Sequence, residues 1–300
     1  MEINPSGRFD LRQSIGFGFG QRAASSDQRG KHAVMRLAFV LDGYRQQVGA
    51  SVEQLSPGRL RVEPVGDGDP AAVLAQVARV LSLDVDACGW DELGTRDPLI
   101  GRLQAARPGL RPPLFYSAYE ALVWAVLSAR RPATQMAQVR EQLAARHGAT
   151  VEVAGQAMHV VPTPEQLLAV DAFPGLSAEK IRRLHGIAAS ALDGSLDTAT
   201  LRALDPSVAA TQVRGLDGIG PFYSELVVIR ALGHTDVLPS NEPRLLDAVG
   251  ALLGAGRSLT PDELARAAAG WTPWRTWAAV AARASGAQVS STLSVGASRA

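Results

Sequence analysis

Three stretches near the start of the chain, HAVMRLAFVL (32–41), YRQQVGASVEQL (44–55) and RLRVEPV (59–65), are rich in β-formers and partly alternate apolar with polar positions. That pattern predicts strands, and Ser56-Pro57-Gly58 between the last two predicts a hairpin turn. The period then changes. Asp69-Pro70 offers an N-cap and a first-turn proline to Val73, Leu74, Val77, Val80 and Leu81, whose spacing predicts an amphipathic helix covering the sheet.

From Asp97-Pro98 onward the pattern is helices separated by short breakers, the first ending near Arg107-Pro108-Gly109. Ser117-Ala118-Tyr119-Glu120 reads as a capping box before the apolar run Ala121 to Leu127, which predicts a central helix buried on most sides. Met136, Val139 and Leu143 mark a helix stopping by Gly148, and further starts stand at Thr163-Pro164, Ser177, Asp205-Pro206 and Thr260-Pro261. Only 151–161 (VEVAGQAMHVV) returns to strand character. The expected fold is α+β: a flexible or partly ordered segment 1–31, a small antiparallel sheet-plus-helix domain 32–96, a mostly helical domain 97–285, and a flexible tail 286–300. The small polar composition of 20–31 and of the stretch from Ser285 underlies the expected flexibility.

Composition narrows the function. With 30 Lys and Arg against 29 Asp and Glu, the 300-residue chain has no net basic field, so any affinity for nucleic acid must come from local chemistry. One cysteine, Cys88, excludes an internal disulfide framework and a thiolate metal cluster. The first residues lack the apolar run of a secretory leader and no stretch reaches membrane-spanning length, so a bacterial cytoplasmic location is expected.

The segment Val213 to Phe222 (VRGLDGIGPF) joins one predicted helix to the apolar-faced SELVVIRALG and forms a helix-hairpin-helix. Gly218 and Gly220 around Ile219 allow a tight turn and a close approach of backbone N–H groups to a phosphate; the bland alternative is an ordinary tight turn.

Taken with ARPGLRPP (106–113), VPTP (161–164), LDGIGPFYSEL (216–226), DVLPSNEPRLL (236–246) and WTPWRTW (271–277), the chain resembles the helix-hairpin-helix DNA glycosylase superfamily, most of all bacterial 3-methyladenine DNA glycosylase II, over about residues 32–285. The resemblance implies a helix-hairpin-helix glycosylase domain that grips duplex DNA and flips a damaged base. The family's essential aspartate aligns with Glu242, one methylene longer; the competing reading makes Glu242 an anion favoured at a helix start. Phe222 occupies the position where strand-cleaving relatives carry a Schiff-base lysine, which implies a monofunctional enzyme; its ring is either a stacking surface or core. Trp271, Trp274 and Trp277 share a helical face suited to packing, with base stacking by Trp277 as the alternative. Arg283 and Leu226 stand where the relative has pocket aromatics, which argues against a simple preference for cationic alkylated purines. Arg130 takes the place of the wedge that fills the vacated stack, with Arg131 beside it; alternatively the two complement a helix dipole.

The expected function is therefore a monofunctional glycosylase of base excision repair acting on double-stranded DNA with a damaged base. It needs no organic cofactor or metal, save a monovalent cation that hairpin carbonyls could share with a phosphate, and a monomer is the simplest state. A non-catalytic DNA-lesion binder on the same fold is the alternative.

Overall fold

The computed structural model describes residues 1–17, 23–27 and 33–296. The three expected strands form, as β3 (Val34–Val40), β4 (Gln47–Ser56) and β5 (Arg59–Val65), and two short edge strands join them, β1 (Glu2–Ile3) on β5 and β2 (Ala23–Asp27) on β3. All pairings are antiparallel, in the order β1-β5-β4-β3-β2. One face of the sheet packs against the helix Pro70–Val80 through Leu37, Phe39, Val48, Val52, Val73 and Val77, all essentially buried. Burying each such side chain contributes about 1.5–3 kcal/mol, which holds the layers together.

The N-terminal segment is more ordered than its composition suggests. Phe9 and Leu11 are buried, and Gln54 straps both down: its carbonyl accepts the Leu11 N–H at 2.7 Å and its amide donates to the Phe9 carbonyl at 3.0 Å. Of the stretch 20–31, residues 23–27 are strand, and the rest lies outside the described residues. At the other end the helix Arg275–Gly296 continues through most of the stretch expected to be a flexible tail. Its first turns are packed and no proline follows, so each further residue adds a hydrogen bond to an existing nucleus. Residues 297–300 lie outside the described set.

The central helix Ala118–Ser128 is buried at every position from Ala118 to Leu127. Ser117 caps it, accepting the Glu120 N–H at 3.2 Å, but Glu120 does not complete the expected box. Its carboxyl turns to the sheet and accepts the Val40 N–H at 2.9 Å, a buried donor that would otherwise stay unpaired. Burial raises the Glu120 carboxyl from 4.5 to about 7. In the folded protein this group therefore holds its proton to about pH 7, while the unfolded chain releases it near 4.5. The contribution of this group to folding stability should be lost as pH rises through that window, by up to about 3 kcal/mol. Denaturant titrations at pH 4.5 and 7.5 should show this slope in the wild type and a flatter one in Glu120→Gln; parallel slopes would contradict it.

The helix Cys88–Arg96, inside the stretch assigned to the N-terminal domain, packs with the C-terminal helices through Trp90 and Leu93. Its two glycines and polar residues hid its helical period. In the same cluster the Trp271 indole N–H donates to Asp97 at 2.9 Å, while the other Asp97 oxygen caps Leu99 and Ile100. The strand-like stretch 151–161 is a small hairpin, β6 (Thr150–Val153) with β7 (Gln156–His159). Among the described residues no helix is long and apolar enough to cross a membrane.

Candidate active site

The hairpin stands between the helices Pro206–Arg214 and Pro221–Val227. Gly218 has φ +83°, a left-handed conformation that favours glycine, and a Cβ there would come within 2.7 Å of the Arg183 side chain. Ile219 is buried and anchors the turn in the main core. Gly220 is extended, and a Cβ there would meet nothing within 4 Å, so its surface is open to a partner. Pro221 follows as the first helical residue.

A short chain of contacts positions the acid relative to this hairpin. Arg275, at the start of the C-terminal helix, grips Asp236 through Nε at 2.7 Å and Nη2 at 2.8 Å. The Thr276 hydroxyl accepts the Val237 N–H and donates to its carbonyl, both at 2.9 Å. Two of the sequence motifs, DVLPSNEPRLL and WTPWRTW, are thus one physical unit, and the segment they fix leads through Pro239 to Glu242. Glu242 is the N-cap residue of Pro243–Leu252, yet its side chain makes no capping bond. It turns instead to Arg283, whose Nη1 lies 3.1 Å from Oε1, with the carboxylate side chain 18% exposed. Glu242 thus stands at a helix start without capping it, and its side chain lines a cleft of about 380 Å³.

Phe222, Leu226, Glu242 and Arg283, which the sequence singled out separately, all line that cleft, together with Glu225 and Pro239. Phe222 is 55% exposed, its ring edge-on to Tyr223, and so is not a core residue. Trp277 is core: it is 3% exposed, packed between Trp90 (5.9 Å between ring centroids) and Trp274 (4.8 Å), and it does not reach the cleft. Packing needs won that position because the helix face bearing Trp274 and Trp277 turns inward.

Beyond the central helix, Arg130 and Arg131 are both exposed. Arg130 has φ +57°, costly for a residue with a Cβ, and makes no hydrogen bond or ion pair among the described residues. The carbonyls at the end of the central helix are met by another residue: the Lys180 ammonium donates to that of Leu127 and, at 3.3 Å, to that of Ala129. Ser128 and Tyr223 share a hydroxyl–hydroxyl bond of 3.0 Å that ties this loop to the hairpin's second helix.

Sequence reasoning missed three participants. Glu225 lies three residues after Phe222, hence on the same helix face, a spacing that could have revealed it. Phe17 enters the cleft from about 200 residues earlier in the chain, over the Arg230 guanidinium at 5.0 Å, and carries no local signal. Lys180 was equally silent. Glu225 is half-buried and its carboxyl is raised above the usual range, first by desolvation and then by the charge of Glu242. Among the described residues no group of three or more His, Cys, Asp or Glu side chains is placed to hold a metal ion.

No protein-family model matches the chain. It is 33% identical over 217 residues to a probable bifunctional transcriptional activator/DNA repair enzyme AlkA of Mycobacterium tuberculosis, a match spanning 70% of this chain but 42% of that protein. The chain thus spans less than half the length of that curated relative. Over 276 residues it is 24% identical to DNA-3-methyladenine glycosylase 2 of Escherichia coli, covering 90% of this chain and 92% of that one. The structure of 3-methyladenine DNA-glycosylase from Archaeoglobus fulgidus superposes with a TM-score of 0.78 at 20% identity, covering 95% and 98% of the two chains.

Proposed function

Because this chain belongs to the helix-hairpin-helix DNA glycosylase superfamily, we propose that it is a monofunctional DNA glycosylase that hydrolyses the N-glycosidic bond of a damaged base flipped out of duplex DNA. One observation carries the reading: the Glu242 carboxylate, freed from capping and held by Arg283, faces the same cleft as the exposed ring of Phe222, and Phe222 begins on the hairpin's second helix. In this reading the Gly218–Gly220 backbone holds a phosphate and sets the register on DNA without reading sequence. The extruded base enters the cleft against Phe222, and its sugar comes beside Glu242. As the C1′–N bond breaks, its electron pair leaves with the base and positive charge grows on the sugar. The Glu242 anion stabilises that charge and accepts a proton from the water that adds to C1′. Phe222 has no amine, so no Schiff base forms and the strand stays intact.

The carbonyls of Asp217, Gly218 and Ile219 accept no backbone hydrogen bond among the described residues, which suits a monovalent cation. Bound there, it would supply a point of positive charge facing a phosphate. The protein would act as a monomer on DNA of the bacterial cytoplasm.

The test is base release from a panel of duplexes, each with one damaged base, with abasic sites revealed by alkali. Release from at least one duplex, with no strand cleavage before alkali, is expected; tight binding across the panel without release would favour a non-catalytic lesion binder.

Arg130 stands as the wedge in this reading, supported by its strained, unpaired and exposed conformation beside the hairpin. Arg130→Ala should weaken binding to lesion and abasic duplexes by about tenfold, on the scale of one lost stacking contact, and to undamaged duplex by much less. Fluorescence anisotropy on the three duplexes checks this; equal losses would reduce Arg130 to a phosphate contact.

A further inference from the structure

The cleft holds a second carboxyl group to which neither the fold nor the glycosylase reading gives a task. Glu225 projects into it from the same helix as Phe222, half-buried, with no hydrogen bond and no ion pair among the described residues. Glu242, across the cleft, is in the opposite situation, bound to the Arg283 guanidinium at 3.1 Å. A half-buried carboxyl with no partner is costly unless it is protonated or finds its partner in a ligand. Two carboxyls in one site, one paired with a cation and the other solitary, form the arrangement in which one works as an anion and the other as an acid. Partial burial first, and then the charge on Glu242, raise the Glu225 carboxyl, in the direction an acid requires.

Other charged groups face Glu225 from the elements around it. Arg214, at the end of the hairpin's first helix, opposes the shift, while Arg230 in the π-helical turn Val228–Leu232 that follows its own helix, Arg107 before the central helix and Arg283 on the C-terminal helix also border the cleft. Three are otherwise engaged: Arg283 with Glu242, Arg230 with the Pro113 carbonyl and the Phe17 ring, and Arg107 with the Ala284 carbonyl at 3.2 Å.

We propose that Glu225 is a second catalytic residue, the general acid that protonates the departing base, and that the site is thereby suited to neutral damaged purines as well as to bases already carrying positive charge. This rests on the glycosylase reading and deepens it. A cationic base needs no proton, because it leaves as a neutral molecule. A neutral purine would leave as an anion, and a proton delivered to a ring nitrogen as the C1′–N9 bond breaks removes that penalty. The step balances: Glu225 gives its proton to the base, the bond pair goes to N9, and water adds to C1′. The proton of that water passes to Glu242 and on to solvent, and Glu225 recovers its proton from solvent.

The experiment compares single-turnover excision of hypoxanthine, a neutral purine, with that of 7-methylguanine, a cationic one, by the full-length wild type, Glu225→Gln and Glu225→Asp across pH 5 to 9. In the wild type the hypoxanthine rate should fall about tenfold per pH unit once Glu225 has lost its proton, while the 7-methylguanine rate shows no such limb. Glu225→Gln should lower hypoxanthine excision by about 10²-fold, at least tenfold more than it lowers 7-methylguanine excision, and abolish the alkaline limb; Glu225→Asp should keep the limb. Losses equal for the two bases, or a limb surviving in Glu225→Gln, would overturn the assignment while leaving the glycosylase reading intact. A wild type that releases neither base would overturn the assignment of Glu225, while the glycosylase reading falls only if no duplex of the whole panel loses its base. The wild-type pH profiles decide the matter by themselves should a variant fail to fold.

Discussion

Glu242→Gln is expected to cut base excision by about 10²-fold or more, the scale of losing one group that stabilises developing charge, while DNA affinity stays level or rises. The side chain keeps its size and can still hydrogen-bond, but the anion facing the sugar is gone. Because Glu242 makes no capping bond and keeps only one ion pair, with a partly exposed Arg283, the change should cost little stability. Loss of excision with a retained melting temperature therefore separates chemistry from folding. Glu242→Asp asks what the extra methylene does: the Arg283 contact is set for the longer side chain, so lower activity marks Glu242 as adapted to this cleft and higher activity as a relic of the shorter acid. Equal excision rates for wild type and Glu242→Gln would leave Glu242 without a catalytic role.

The second large effect concerns the hairpin, where two glycines should fail in different ways. Gly220→Ala adds a methyl that meets no protein atom within 4 Å at an ordinary extended backbone, so the protein should fold and melt as before. The methyl would stand where a phosphate approaches, and losing a charge-assisted backbone contact should weaken DNA binding by about 10- to 100-fold. Gly218→Ala imposes a left-handed backbone and displaces the Arg183 side chain, at a cost of about 1–2 kcal/mol, so it should lower stability and binding together. Thermal melts and salt-series binding titrations of both variants check this. Normal DNA affinity in Gly220→Ala would remove the hairpin from the interface.

Local signals were the legible part of this chain. The β4–β5 hairpin at Ser56 to Arg59, the Asp69 and Asp97 caps with their prolines, and the helix starts at Thr163 and Thr260, which prove to be capping boxes, are short-range chemistry, and each forms where the spacing places it. Glu120 shows the limit: its local role as a box partner lost to a buried N–H of Val40, 80 positions away, which no local rule could reveal. Trp277 and Phe222 show the same limit at the site, since an aromatic on a helix reads alike whether it is 3% or 55% exposed. The motif order brought Glu242, Phe222, Leu226 and Arg283 into one cleft, but the partners that define their chemistry came from elsewhere. Phe17 arrives from the C-cap of the N-terminal helix Leu11–Gly16, and, outside the cleft, Lys180 comes from the helix Ala178–Leu192 to the end of the central helix.

The central claim is hydrolysis of a base–sugar bond, and its products can be weighed directly. Wild-type protein is incubated with the lesion duplexes in water enriched in oxygen-18, and the small molecules and strands are analysed by mass spectrometry. The account predicts the free damaged base together with an uncleaved strand whose abasic sugar carries one oxygen-18 atom. Recovery of every lesion strand intact from stable protein complexes, or a strand joined covalently to the protein after borohydride treatment, would contradict it.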